Sequence, residues 1–326
     1  MLDLLLALVV DADALRQWID ENEFAIEEPV PPNPNITPPA QASGYQLTFN
    51  DEFTDLSISN SFTYDGKRWY TETEPCCMPG GTTTYRVYPH VVPPTTVEQA
   101  NPFSIVDGDK LRIRLKTVNG TWYGGGLATT DRDNQLGFAQ QYGYWEARMK
   151  WSPGPSSGPW LSFWGKTQKR TGPPGPNGMY TQVGEIDILE FWGDAPAMWS
   201  TLHDWVANTH QQACKAKAHF DFYSDYHTYG MMWDASKMSF WFDNVKQCEV
   251  NTFSQGHLPY YVILDLGMGG GYPVNQTPNP TDMYVDWVRI WKKPASLMAV
   301  PEPIAEPAAV EEMTRPSLDQ RKDWRE

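Results

Sequence analysis

The chain has 326 residues, 25 basic and 40 acidic, for a formal net charge of −15 at pH 7. That balance opposes a nucleic-acid partner, whose phosphates need a basic stripe, and opposes strongly anionic substrates unless a local basic pocket receives them. No apolar run reaches the roughly 18 residues that a membrane-spanning helix needs, so no membrane span is expected.

Residues 1–28 stand apart from the rest. The apolar run Leu4–Val10 is preceded by Asp3 and followed by Asp11 and Asp13. A secretory signal starts positive and ends at small residues, so the match is poor. The segment reads equally as a short docking or oligomerisation helix and as an atypical leader. Residues 29–43, PVPPNPNITPPAQAS, have the composition of a Pro-rich linker. One globular domain is then expected over 44–293.

Inside that domain the period is two. Leu111, Ile113 and Leu115 alternate with Arg112, Arg114 and Lys116. Trp145, Ala147, Met149 and Trp151 alternate with Glu146, Arg148 and Lys150. Further strand-like runs fall at Met238–Phe242, Tyr261–Leu266 and Met283–Trp291, separated by Gly, Pro, Asn and Asp clusters. No long helical period lies between them. The expected fold is therefore all-β, with antiparallel sheets in a sandwich or jelly roll. Residues 294–326 form an acidic, Pro/Ala/Glu-rich tail of the kind that stays disordered.

The chain holds 15 Trp, 16 Tyr and 13 Phe. Such rings can fill a β-core, or pave a cleft for sugar polymers. The cysteines are Cys76, Cys77, Cys214 and Cys248. The vicinal pair cannot easily bond to itself, so each member needs a distant partner, and the connectivity is not readable. No spacing suggests zinc. Usage leans to an oxidising compartment.

The segment Gly184–Gly193, GEIDILEFWG, sets Glu185, Asp187 and Glu190 among apolar neighbours. In a regular strand Glu185 and Asp187 share a face and Glu190 points away. A one-residue bulge at Ile188–Leu189 returns Glu190 to that face. The two glutamate α-carbons would then lie roughly 13 Å apart. Side chains leaning inward bring the carboxyls to roughly 5 Å, near the separation of retaining glycosidases. Three acids on one face repel, so at least one keeps its proton near neutral pH. The bland alternatives are solvated acids on an edge strand, or a calcium site.

The ExDxxE pattern at Glu185–Glu190 resembles the signature of glycoside hydrolase family 16 in its bulged variant. Other pieces follow in the family's order: Asn50–Phe53, Gly126–Thr130, Tyr142–Lys150, Pro159–Trp164, His227–Trp233, Leu264–Pro273 and Tyr284–Trp291. The resemblance covers about residues 45–292. It implies a concanavalin A-like jelly roll with a concave cleft for an extended polysaccharide. It implies Glu185 as nucleophile, Asp187 as its helper and Glu190 as acid/base. Trp160, Trp164 and Trp192 would contact sugar, as would His203; each of these has ordinary packing as its alternative. Catalysis needs no cofactor. A structural Ca2+ on the convex side would use Asp286, with Glu52 nearby; otherwise Asp286 is a surface acid. The expected activity is a retaining endo-β-glycanase on β-1,3- or β-1,3/1,4-glucan. A transglycosylase, an exopolysaccharide depolymerase and a non-catalytic glycan binder on the same scaffold are the rivals. The domain is expected to be monomeric, and the substrate class implies extracellular or cell-surface action. Long Pro/Gly-rich insertions at 75–100 and 168–180 leave the polymer open.

Overall fold

The computed structural model describes residues 32–59, 64–71, 101–131, 136–152, 158–168, 171–174, 180–192, 197–217, 223, 225–269 and 273–294. The expected helix at 1–28, the insertion at 75–100, Cys76, Cys77 and nearly all of the tail lie outside these residues. Among the described residues no helix is long and apolar enough to cross a membrane.

Two sheets face each other. The first has nine strands: β1 (Gln46–Asp51), β4 (Phe103–Val106), β5 (Lys110–Val118), β6 (Thr121–Tyr123), β8 (Gly143–Ser152), β15 (His227–Trp233), β16 (Lys237–Phe242), β17 (Val245–Asn251) and β19 (Thr281–Lys292). Their order is β17-β16-β15-β8-β19-β5-β4, with β1 also on β19 and β6 on β5. The second has eight strands: β2 (Ile58–Ser59), β3 (Trp69–Thr71), β7 (Gly125–Ala128), β9 (Pro159–Thr167), β12 (Gly184–Trp192), β13 (Ala197–Asp204), β14 (Thr209–Lys217) and β18 (Tyr260–Met268). Their order is β14-β13-β12-β9-β18-β7-β3-β2. A separate ribbon pairs β10 (Thr171–Pro174), within the expected 168–180 insertion, with β11 (Tyr180–Gln182), which begins at its last residue.

The alternation in the sequence decides which face packs. Leu111, Ile113 and Leu115 of β5 are fully buried, while Arg112, Arg114 and Lys116 stand on the other face. On β8, Trp145, Ala147, Met149 and Trp151 enter the same core. From the second sheet come Leu161, Phe163, Ile186, Leu189, Phe191, Val262 and Leu264. Each large side chain buried here contributes about 1.5–3 kcal/mol relative to exposure. The aromatic richness divides. Trp69, Trp145, Trp151, Trp233 and Trp291 are fully buried, whereas Trp160, Trp164, Trp192, Trp199 and Trp205 sit on or beside the outer face of the second sheet.

Two features tie the sandwich together. Cys214 and Cys248 form a disulfide that links β14 to β17, the edge strands of the two sheets. The Pro-rich stretch packs, in its described part, against the outer face of the first sheet. Ala42 is buried with Tyr144 and Trp291, and Gln41 Nε2 donates to the Tyr144 hydroxyl at 2.7 Å. Beneath this contact lies Glu146. Tyr144 Oη donates to its carboxylate at 2.8 Å, and burial pushes that acid up to about 7.

Candidate active site on the outer face of the second sheet

Strand β12 carries the acids, and its pairing is interrupted where the sequence pattern requires. Asp187 lies opposite Thr201 of β13 and Trp164 of β9. The next registered pairs are Glu190 with Trp199 and Leu189 with Phe163. One extra residue is taken up at Ile188–Leu189, and both of these side chains remain in the core. The Ile188 carbonyl accepts a hydrogen bond from Ser200 Oγ at 2.8 Å, and Ser200 is fully buried. That hydroxyl satisfies a carbonyl that no water could reach. Past the bulge Glu190 and Trp192 join Glu185 and Asp187 on the outer face, and Phe191 turns inward. At the start of β12 the neighbours demand glycine. A Cβ on Gly184 would lie 2.1 Å from the Tyr260 hydroxyl.

Each acid has its own donors. Trp205 Nε1 donates to Glu185 Oε2 at 3.0 Å. Trp160 Nε1 donates to Glu190 Oε1 at 3.2 Å. Thr201 Oγ1 donates weakly to the other Glu190 oxygen at 3.5 Å. Asp187 Oδ2 meets His203 Nε2 at 2.8 Å, and the same nitrogen is 3.9 Å from Glu185 Oε1. His203 stacks on Trp205 at 5.2 Å, and its Nδ1 faces His210 Nδ1 at 2.6 Å. The hairpin that carries Trp205 is held by Asp204. Its carboxylate accepts from the Val206 and Ala207 amides at 3.0 and 2.9 Å, and from the side chains of Ser254 and Gln255.

The charges are crowded and dry. Burial, then the charges of Glu185 and Asp265, hold Asp187 well above the usual carboxylate range, with Lys166 opposing. Burial, then Asp187 and Glu185, hold Glu190 well above it too, with His203 and the Trp160 hydrogen bond opposing. These are the causes expected where like charges share a low-dielectric face. Environments that push the carboxyls of one site upward are the kind in which a carboxyl group can serve as a proton donor.

A model of one family, Glycosyl hydrolases family 16, matches residues 95–289, more than half of the chain. The chain belongs to this family. Curated relatives of this family 16 chain include two proteins of Rhizobium meliloti (strain 1021), the endo-1,3-1,4-β-glycanases EglC and ExsH. EglC is 29% identical over 257 residues, covering 75% of this chain and 51% of its own length. ExsH is 27% identical over 258 residues, with 75% and 51% covered. The chain thus spans about half the length of these curated relatives. Among solved structures, the catalytic domain of an endo-1,3-β-glucanase (laminarinase) from Thermotoga petrophila RKU-1 shares the fold. It has a TM-score of 0.55 at 20% identity, covering 76% of this chain and 98% of that one.

The structure brings together Glu185, Asp187, Glu190, Trp160, Trp192 and His203 of the expected site residues. His203 is bonded to Asp187 rather than standing free on the face. Trp164 is on the same face but only 5% exposed, its Nε1 donating to the buried Asp265 at 2.7 Å. Asp286 and Glu52 stand apart from this site. The Asp286 carboxylate binds Lys110 Nζ at 2.8 Å and also Arg148. Glu52 takes Arg289 through two bonds of 3.0 and 2.7 Å. Both carboxylates are paired with cations in this structure. Neither belongs to a group of three metal-ligating side chains among the described residues; the one such group is Glu185, Asp187 and His203. Sequence reading missed Trp205, Trp199, Thr201, His210, Lys166 and Asp265. Counting in twos from His203 along β13 gives Thr201 and Trp199, so that signal was present. Asp265 and His210 come from other strands, and no local pattern marks them.

Proposed function

We propose that this chain is a retaining endo-β-glycanase that cuts internal β-1,3 or mixed β-1,3/1,4 bonds of a glucan. The bulge at Ile188–Leu189 carries the reading, because it gathers three carboxyl groups on one sugar-accessible face. Glu190, kept protonated by burial and its acidic neighbours, donates its proton to the leaving glycosidic oxygen. Glu185, oriented by the Trp205 indole, attacks the anomeric carbon from the opposite side of the bond and forms a glycosyl ester. Water, deprotonated by Glu190, then releases the sugar with its configuration retained. Asp187, bonded to His203, adjusts its proton as Glu185 loses charge. Trp160 and Trp192, stacked at 6.0 Å, offer flat apolar surface to the glycan.

The names of the Rhizobium relatives support the linkage. The Cys214–Cys248 disulfide supports action outside a reducing cytosol, as a polymeric substrate requires. We read the catalytic domain as monomeric. Asp286 and Glu52 serve as ion-pair partners in this reading, so chelation by EDTA leaves the melting temperature unchanged. A shift of several degrees that added Ca2+ restores would refute that part.

The test uses Glu185→Gln and Glu190→Gln with laminarin and lichenan. Reducing-sugar release falls by at least about a thousandfold in each while the fold persists. Proton NMR of early products shows the β-anomer first. Full activity in either variant, or an α-anomer first, defeats the assignment. Products longer than the substrate turn it into a transglycosylase.

A further inference from the structure

The outer face of the first sheet carries a lateral row that the cleft does not use. Ser104 of β4 lies opposite Arg112 of β5, Arg112 opposite Tyr284 of β19, and Tyr284 opposite Lys150 of β8. Strands sit about 4.8 Å apart, so Arg112 and Lys150 flank Tyr284 across about 10 Å. Tyr226 ends the row. Lys150 Nζ is 4.6 Å from the Tyr226 ring centre and 5.8 Å from that of Tyr284.

Neighbouring cations on this face are neutralised. Arg114 grips Asp282 through two hydrogen bonds of 2.6 Å, and the Tyr284 hydroxyl donates to the same carboxylate at 3.1 Å. Lys110 and Arg148 share Asp286. Arg112 and Lys150 have no carboxylate partner among the described residues. Arg112 Nε and Ser104 Oγ, side by side, are buried atoms without any hydrogen-bond partner. Orphaned donors of this kind cost free energy that an acceptor would recover. Burial, then Arg114 and Arg112, hold the nearby Lys116 below the ordinary ammonium range.

We propose that the row Ser104–Arg112–Tyr284–Lys150–Tyr226 is a second glycan site that takes an acidic sugar residue. Arg112 and Lys150 bind its carboxylate or sulfate beside Ser104, and the tyrosine rings lie against its apolar face. The row is on the opposite side of the sandwich from Glu185, so it holds a polymer without cutting it. It stands independently of which bond the cleft hydrolyses. A dense polyanion such as nucleic acid or an anionic bilayer meets the repulsion of the whole molecule. A polysaccharide with sparse charges and ring faces matches two free cations and two tyrosines.

The test is affinity electrophoresis of the full chain through gels containing a highly methyl-esterified pectin, a sparsely sulfated galactan or neutral dextran. The first two arms distinguish carboxylate from sulfate. At low salt at least one acidic polymer retards the wild type, and dextran does not. Arg112→Gln and Lys150→Gln each weaken that binding about tenfold, the scale of one hydrogen bond to a charged group. Trp160→Ala, in the cleft, leaves it unchanged. Melting temperature checks each variant's fold; Lys150→Gln, at the more open end of the row, serves if Arg112→Gln unfolds. The proposal is overturned if neither acidic polymer binds, or if folded variants bind like wild type. It is overturned equally if Trp160→Ala removes binding, or if anionic vesicles or duplex DNA bind more tightly. No arm reads turnover, so failure here leaves the cleft reading untouched.

Discussion

Replacing Glu146 by Gln should stabilise the protein at alkaline pH and leave it nearly unchanged at acidic pH. Glu146 is 4% exposed on β8, and burial pushes its carboxyl from 4.5 up to about 7, against the pull of the Tyr144 hydroxyl and Arg289. A folded-state value above the unfolded one means that folding favours the neutral acid. Stability from this group is full below the unfolded value and is lost as pH rises through the folded one. The gap between 4.5 and about 7 corresponds to about 3 kcal/mol. For a domain of this size that is a melting shift of about 8 °C. Glutamine keeps an oxygen for the Tyr144 hydroxyl and cannot ionise. Any packing cost of its amide is the same at every pH, so the difference between two pH values isolates the charge. Urea unfolding followed by tryptophan fluorescence at about pH 5 and about pH 8.5 measures it. An equal offset at both, or a variant less stable at the higher pH, would show that Glu146 is not held neutral.

Three further outcomes follow from the site and its frame. Ser200→Ala leaves the Ile188 carbonyl buried and unbonded, which costs about 1–3 kcal/mol; thermal melting reads the loss, and kcat should fall more than KM rises. Asp187→Asn removes an acid that burial, Glu185 and Asp265 hold above its ordinary range. The variant should melt higher than wild type by a margin that grows as pH rises from the carboxylate range, while turnover drops; a lower melting point at neutral pH contradicts the account. Reduction of Cys214–Cys248, whose partners are 34 residues apart, removes about 4 kcal/mol on chain-entropy grounds, and calorimetry with and without dithiothreitol should separate the melts by about 10 °C.

The sequence made much of this legible because period-two alternation is read off one strand at a time. Leu111, Ile113 and Leu115 announce their own inward face. The acid-bearing segment was readable for the opposite reason: Glu190 breaks the alternation, and a bulge is the local device that mends it. Strand order, and with it the Cys214–Cys248 pairing, depends on which distant edges meet, and no window of sequence holds that. The same limit hid Asp265 and His210, which reach the acids from β18 and β14. The cations around Asp286 stayed hidden for the same reason, since Lys110 and Arg148 come from two other strands.

The extra residue at Ile188–Leu189 resets a parity. Upstream, odd-numbered side chains of β12 look outward; downstream, even-numbered ones do. Removing a single residue there would thread Phe191 out to solvent and drive the Glu190 carboxyl and the Trp192 indole into the hydrocarbon interior. The strand therefore tolerates exchange of letters far better than a change in their count, and one-residue indels between Asp187 and Glu190 should be inactivating even when every remaining amino acid is kept.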